Sequence, residues 1–191
     1  MYDFDTLIDR RSTGCFKYDG LKQIYGESEL LPLWVADMDF AVSPQIQAAL
    51  ARRASHPIFG YNFRLPALQE ALVYWQKQRH GWEVKDHHLS VLPSLMTALA
   101  YTIMAHTQPG EGILIQSPVY PPFHNSVKEQ QRKLLINSLI NDNGYYRIDF
   151  EDFEAKAREA KLFILCNPHN PVGRVFTQDE LQTMAEICQK H

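Results

Sequence analysis

Three short stretches carry the side chains of this sequence that could do chemistry. The first, Asn167-Pro168-His169-Asn170-Pro171-Val172-Gly173, directly follows the apolar run Leu162-Phe163-Ile164-Leu165-Cys166. A residue before proline is held extended, so a doubled Asn-Pro fixes a sharply turned backbone. That turn presents the Asn170 amide as a rigid hydrogen-bond donor. A plain turn is the alternative, and the doubling followed by Gly173 argues against it. The second stretch, Ser117-Pro118-Val119-Tyr120-Pro121-Pro122-Phe123, pins Tyr120 among prolines. A flat aromatic held there could stack on a planar ring. A core tyrosine beside a turn accounts for the same residues equally well. The third, Leu92-Pro93-Ser94-Leu95-Met96-Thr97, opens a helix. The free N–H groups of a first helical turn, with the helix dipole, make an anion site. Ser94 can cap that helix or meet a phosphate oxygen, although an ordinary helix start explains it too. A glycine-rich P-loop and a GxGxxG string are both missing, which disfavours nucleoside triphosphates and dinucleotides.

The elements around these stretches give them positions. Ser43-Pro44 reads as a helix cap followed by proline at the first helical position, and Ile46, Ala49 and Leu50 carry a helix to about 54. A second helix is predicted from Pro66 to about Arg79, with Leu68, Leu72 and Trp75 on one face. Strands and helices then alternate. Leu89–Leu92 reads as a short buried strand, Ser94 opens a helix through Ile103, and Gly112–Gln116 is a strand. A helix from Pro121 to about Gln130, a strand Lys133–Leu139 and an extended piece Tyr145–Ile148 follow. Asp149 caps a helix to about Ala160, and Lys161–Cys166 reads as a buried strand. Thr177-Gln178-Asp179-Glu180 is a capping box for a last helix ending near His191.

Such alternation predicts an α/β domain of three layers, α/β/α, around a largely parallel sheet. Ligand sites in these sheets lie at the carboxyl ends of the strands, where all three stretches fall. Residues 1–43 read as irregular and rich in turns. The last helix has no strand after it, so the sheet is expected to be incomplete and to expose apolar surface where further strands would pair.

Composition narrows the classes. The chain has 191 residues, 45% of them hydrophobic, and a net charge of −3, which favours neither nucleic acid nor an anionic membrane. The apolar runs are too short to span a bilayer, and the acidic start Met1-Tyr2-Asp3-Phe4-Asp5 is unlike a signal peptide. The 3 cysteines, Cys15, Cys166 and Cys188, are odd in number and widely spaced, so they read as reduced and cytoplasmic. The adjacent His87-His88 lacks metal-ligand spacing and reads as solvated surface.

Asn170-Pro171-Val172-Gly173 resembles the Asn-Pro-Thr-Gly motif of class I/II aminotransferases, the fold-type-I enzymes of pyridoxal 5'-phosphate (PLP), with Val in place of Thr. The resemblance runs along essentially the whole chain and points to the cystathionine β-lyases of the MalY/PatB type. Asp9-Arg10-Arg11-Ser12-Thr13, Leu31–Phe40 with its Ala36-Asp37-Met38-Asp39-Phe40, Phe59-Gly60-Tyr61 and Ser117-Pro118-Val119-Tyr120 carry that finer match. Leu92 stands where relatives often have glycine.

The resemblance implies a PLP-dependent transferase-like major domain at 44–191, with residues 1–43 belonging to a small domain. It implies that Leu95 and Met96 give backbone N–H groups to the PLP phosphate near Ser94. Tyr120 would stack on the pyridine ring, and Asn170 would hydrogen-bond its phenolic oxygen. Tyr61 would reach the phosphate of a neighbouring subunit in a homodimer, and the backbone near Ala36 would approach the substrate carboxylate. The partner would be a small-molecule amino-acid substrate. The lysine that binds PLP covalently, the aspartate facing the pyridine nitrogen and the arginine for the substrate carboxylate would all fall beyond residue 191.

The leading expectation is thus the N-terminal portion of a C–S β-lyase. An aminotransferase is the alternative enzyme, and a non-catalytic binding fragment the alternative of another class. Because no lysine here has the family's catalytic setting, residues 1–191 alone are expected to release no pyruvate from cystathionine. Robust turnover in a pyruvate assay would contradict that.

Overall fold

The computed structural model describes residues 3–61 and 66–191. The chain divides into two compact units, residues 1–66 and 67–191. Met1 and Tyr2 of the acidic start lie outside the described residues.

The first unit holds two short helices, α1 (Phe16–Asp19) and α2 (Leu21–Tyr25), and the longer α3 (Pro44–Ala54). The two short helices fall in the part expected to be irregular. Their sequence signal is weak because each is about one turn long, too short to show periodicity. Gly26, at φ 81, ends α2 in the left-handed conformation that glycine adopts without strain. In α3 the Ser43 side chain accepts the Ile46 N–H and Pro44 takes the first position, as the sequence predicts. Trp34 organises this unit: its ring meets Phe16 at 4.7 Å and Tyr25 at 5.5 Å, and its indole N–H donates to Lys17 O at 3.1 Å.

The second unit begins with α4 (Pro66–His80) and α5 (Leu95–His106), followed by β1 (Gly112–Ser117) and α6 (Pro122–Glu129). Then come β2 (Lys133–Ser138), β3 (Ile140–Asp142), β4 (Tyr145–Arg147), α7 (Phe150–Ala157), β5 (Ala160–Ile164) and α8 (Gln178–Lys190). Strands β2, β1 and β5 form a parallel sheet in that order, and β3 pairs with β4 in an antiparallel hairpin. Side chains alternate across β1. Ile113 and Ile115 enter one core with Ile103 of α5 and Val127 of α6, and Leu114 enters another with Phe153 of α7 and Met184 of α8. Helices therefore cover both faces, giving the three α/β/α layers around a parallel sheet.

The expected strand at Leu89–Leu92 does not form: these residues belong to neither sheet, and Val91 and Leu92 are exposed. A strand's hydrogen bonds lie with its neighbour, so apolar residues alone do not make one. The predicted Lys161–Cys166 strand starts one residue earlier and is only half-buried, because β5 pairs with β1 alone among the described residues. Leu162, Phe163 and Leu165 line an apolar groove with Leu181 and Met184 of α8, the kind of exposed apolar surface expected from an incomplete sheet.

Gly112 opens β1 where it is wedged between both neighbours. A Cβ there would collide with the carbonyl oxygen of Glu159 and lie 2.8 Å from a methyl of Leu135. Glycine-to-alanine changes stabilise where the site has room. Here Gly112→Ala is expected to destabilise by about 1–3 kcal/mol through overpacking, read as a lower urea midpoint at unchanged slope.

Candidate cofactor site

Because β1 and β5 are parallel neighbours, their carboxyl ends deliver the Tyr120 and Asn170 loops to the same sheet edge. The loops are joined directly. Tyr120 N–H donates to Asn170 O at 2.8 Å, and the His169 ring, through Nε2, meets Pro118 O at 2.8 Å. The Asn170 loop is braced from inside as well. Its own N–H meets Cys166 Sγ at 3.4 Å, Gly173 N–H donates to His169 O at 2.9 Å, and Phe176 N–H donates to Asn167 Oδ1 at 3.0 Å. Gly173 takes φ 71, and the peptide bonds before Pro118, Pro168 and Pro171 are cis. The outcome is an exposed Tyr120 ring, edge-on to Phe123 at 6.3 Å, beside an exposed Asn170 whose side-chain amide makes no hydrogen bond among the described residues.

At α5, the Ser94 side chain caps the helix by accepting Thr97 N–H at 3.1 Å. The N–H groups of Leu95 and Met96 have no acceptor among the described residues, and the first turn carries no acidic residue. Leu99, one turn further on, packs against the same core as Val119 of the tyrosine loop and Cys166 of the asparagine loop. Open N–H donors at a helix start, an accessible aromatic face and an uncommitted amide donor fit a phosphorylated heteroaromatic ring. No group of three His, Cys, Asp or Glu among the described residues could hold a metal ion.

Ala36 and Tyr61 lie exposed in the first unit. There an interaction that sequence reasoning missed ties two of the resemblance strings together. Arg10 pairs with Asp37, and with Asp39 at 2.7 Å, while Lys17 Nζ reaches Asp39 at 2.6 Å and Asp37 O at 3.0 Å. One arginine thus grips the Ala36–Phe40 loop at two carboxylates. The only available hint was opposite charge in two separated strings. His169 was missed as well, although it sits between the two Asn-Pro pairs that drew attention to the loop.

Residues 28–191 match the family model of aminotransferase class I and II. The chain belongs to that family. Among its curated members it is 40% identical over 191 residues to cystathionine β-lyase PatB of Bacillus subtilis, which covers 99% of this chain and 49% of that protein. It is 32% identical to protein MalY of Escherichia coli, covering 100% of this chain and 50% of that one. The structure of cystalysin from Treponema denticola, which contains PLP, matches with TM-score 0.91 and 34% identity over 100% of this chain and 49% of that one. The PLP-bound C–S lyase of Staphylococcus hominis gives 0.88 and 33%, again over 100% of this chain and 49% of that one. The fold-type-I architecture and the likeness to cystathionine β-lyases are thus found. The chain spans about half the length of these relatives.

The charges around Asp39 give a pH test. Hydrogen bonds from Lys17 and then Arg10 hold the Asp39 carboxyl at about 2, below its usual 3.8. A lowered carboxylate value stabilises the folded form above its unfolded value, and that contribution is lost as pH falls toward the folded one. The Trp34 indole N–H resonance should therefore hold steady above pH 3.8 and change as pH falls from 3.8 toward 2. In Asp39→Asn that acid step should shrink, and an identical step in the variant would contradict the assignment.

Proposed function

We propose that these residues are the N-terminal part of a PLP-dependent C–S β-lyase cleaving cystathionine or cysteine S-conjugates to a thiol, pyruvate and ammonia. The observation that carries this is the tied Tyr120–Asn170 pair, with the open start of α5, in a chain 40% identical to a cystathionine β-lyase. Bound PLP supplies an electron sink for the charge left on the substrate α-carbon when its proton departs.

The rest is the work of this chain's own groups. Leu95 and Met96 N–H, in the turn shaped by Ser94, hold the phosphate dianion with the aid of the helix dipole. Tyr120 would stack on the pyridine face. Asn170 donates to the phenolic oxygen and favours its anionic form. Tyr61 reaches the phosphate of a second subunit in a homodimer, and the loop at Ala36 faces the substrate carboxylate. In this reading residues 1–43 join the small domain and 44–191 the large one, in a cytoplasmic enzyme acting on a small-molecule amino-acid substrate.

Several lysines here are held in ion pairs away from the Tyr120 and Asn170 loops. Lys133 bonds Glu159 at 2.5 Å, Lys156 pairs with Asp152, and Lys190 bonds Glu154 at 2.5 Å. In this reading the covalent lysine, with the aspartate and arginine that complete such a site, lies outside residues 1–191, as the family resemblance implies. The family description equally supports an aminotransferase, which would use the same half-site.

The test uses the whole polypeptide that carries these residues, supplied with PLP. Cystathionine should yield pyruvate, and Asn170→Ala should weaken PLP binding by about 10- to 100-fold, the worth of a hydrogen bond to a charged oxygen. Keto-acid exchange without pyruvate would select the aminotransferase. Unchanged PLP affinity in the variant would remove Asn170 from the site.

A further inference from the structure

His169 is buried to 2% exposure in a loop whose neighbours on both sides are exposed. Its Nε2 lies 2.8 Å from Pro118 O, and a carbonyl only accepts, so Nε2 carries the hydrogen and donates it. Nδ1 is buried with no partner among the described residues. The backbone of the same residue closes the turn that holds Asn170: its N–H donates to Arg174 O at 2.6 Å and its carbonyl accepts from Gly173 at 2.9 Å. The ring also stands edge-on to Phe176 at 5.4 Å.

Pro118 and Tyr120 belong to one loop, His169 and Asn170 to the other. The two loops are bonded at both pairs, side chain to backbone at 169–118 and backbone to backbone at 170–120. One hydrogen bond leaves a hinge. Two bonds in adjacent register remove rotation about it, and so fix the distance and tilt between the Tyr120 ring and the Asn170 amide.

We infer that His169 is a positioning residue of the cofactor site: through its Nε2–H bond to Pro118 O it sets the placement of Tyr120 relative to Asn170. It need not touch the cofactor. The inference rests on the reading of Tyr120 and Asn170 as PLP contacts. It differs from a packing role in depending on one ring nitrogen: a group that donates at the Nε2 position preserves it, and an equally polar group that stops at the Nδ1 position does not.

The experiment compares the protein with His169→Gln, whose terminal amide reaches the Nε2 position, and His169→Asn, whose amide ends near Nδ1. Long-range proton–nitrogen NMR on the unsubstituted protein should find the ring hydrogen on Nε2; finding it on Nδ1 overturns the inference without any variant. Hydrogen exchange of the Tyr120 amide should be faster in His169→Asn and near normal in His169→Gln. PLP titration should show about tenfold weaker binding and a displaced absorption band for the Asn variant, with the Gln variant within about threefold of the parent. Equal effects of both substitutions, or none from either, overturn the positioning role. If the unsubstituted protein does not bind PLP, the cofactor reading fails and this inference with it, while the tautomer and exchange data still report whether the two loops are tied.

Discussion

The backbone hydrogen bond from Tyr120 N–H to Asn170 O is where the architecture of the second unit builds the candidate site. Its partners are 50 positions apart in the chain. They meet because β1 and β5 run parallel side by side, with Ile113 paired to Leu162 and Ile115 to Ile164. Parallel strands need a crossover between them, so every strand's carboxyl end opens on the same edge. The strands cannot slide to undo this. Ile113, Leu114 and Ile115 are fully buried, alternately in the cores on the two faces. A one-residue slip would swap each core's partners. The placement of an exposed tyrosine and asparagine is thus enforced by three aliphatic residues that never approach a ligand.

Polar groups inside the second unit obey the same economy. Asn137 of β2 is fully buried, yet its amide donates to Asp149 O at 3.0 Å and to Asp152 at 2.8 Å, and receives Gln116 at 3.3 Å. Burial pushes the Asp152 carboxyl up, and the bonds from Lys156 and Asn137 outweigh it, so the group ends below its usual range. Arg174 repeats the arrangement. It is buried under the Tyr145 and Phe176 rings, bonded to Tyr146 O at 2.6 Å and held at both oxygens by Glu180. Removing one partner of such a set leaves an unpaired buried charge, which costs more than the pair contributed. These networks lock β2 to α7, and the β3–β4 hairpin to the start of α8, behind the sheet edge that carries the site.

What could be read from the sequence follows the range of each interaction. Helix starts are local, and Ser43, Ser94, Asp149 and Thr177 all cap where expected. The strands with a neighbour, β1, β2 and β5, were legible because apolar runs of their length find a partner. Leu89–Leu92 is equally apolar yet joins no sheet among the described residues, a distinction that four residues cannot announce. The hairpin at β3 was overlooked although Asn143-Gly144, at φ 49 and 94, is the turn pair that hairpins favour. Tyr120 and Asn170 were legible as residue types at strand ends. The His169 tie was not, because nothing local says which carbonyl a buried ring will find.

The same limit explains why Asp9–Thr13 and Ala36–Phe40 appeared as separate strings when they are one physical unit. Arg10 spans Asp37 and Asp39 at once because a guanidinium offers several donors in a fixed fork. Two carboxylates side by side would repel, and Lys17 adds a second cation at Asp39. The positive pair therefore does more than neutralise charge. Residues two apart in an extended segment point to the same side, so Asp37 and Asp39 can both face Arg10 only while the backbone between Ala36 and Phe40 keeps an extended course, with Met38 turned outward. A lysine at position 10 would satisfy one carboxylate and release the other. In the proposed enzyme that course is what would bring the backbone at Ala36 to a substrate carboxylate, so the charge cluster would act on the substrate through geometry, without contacting it.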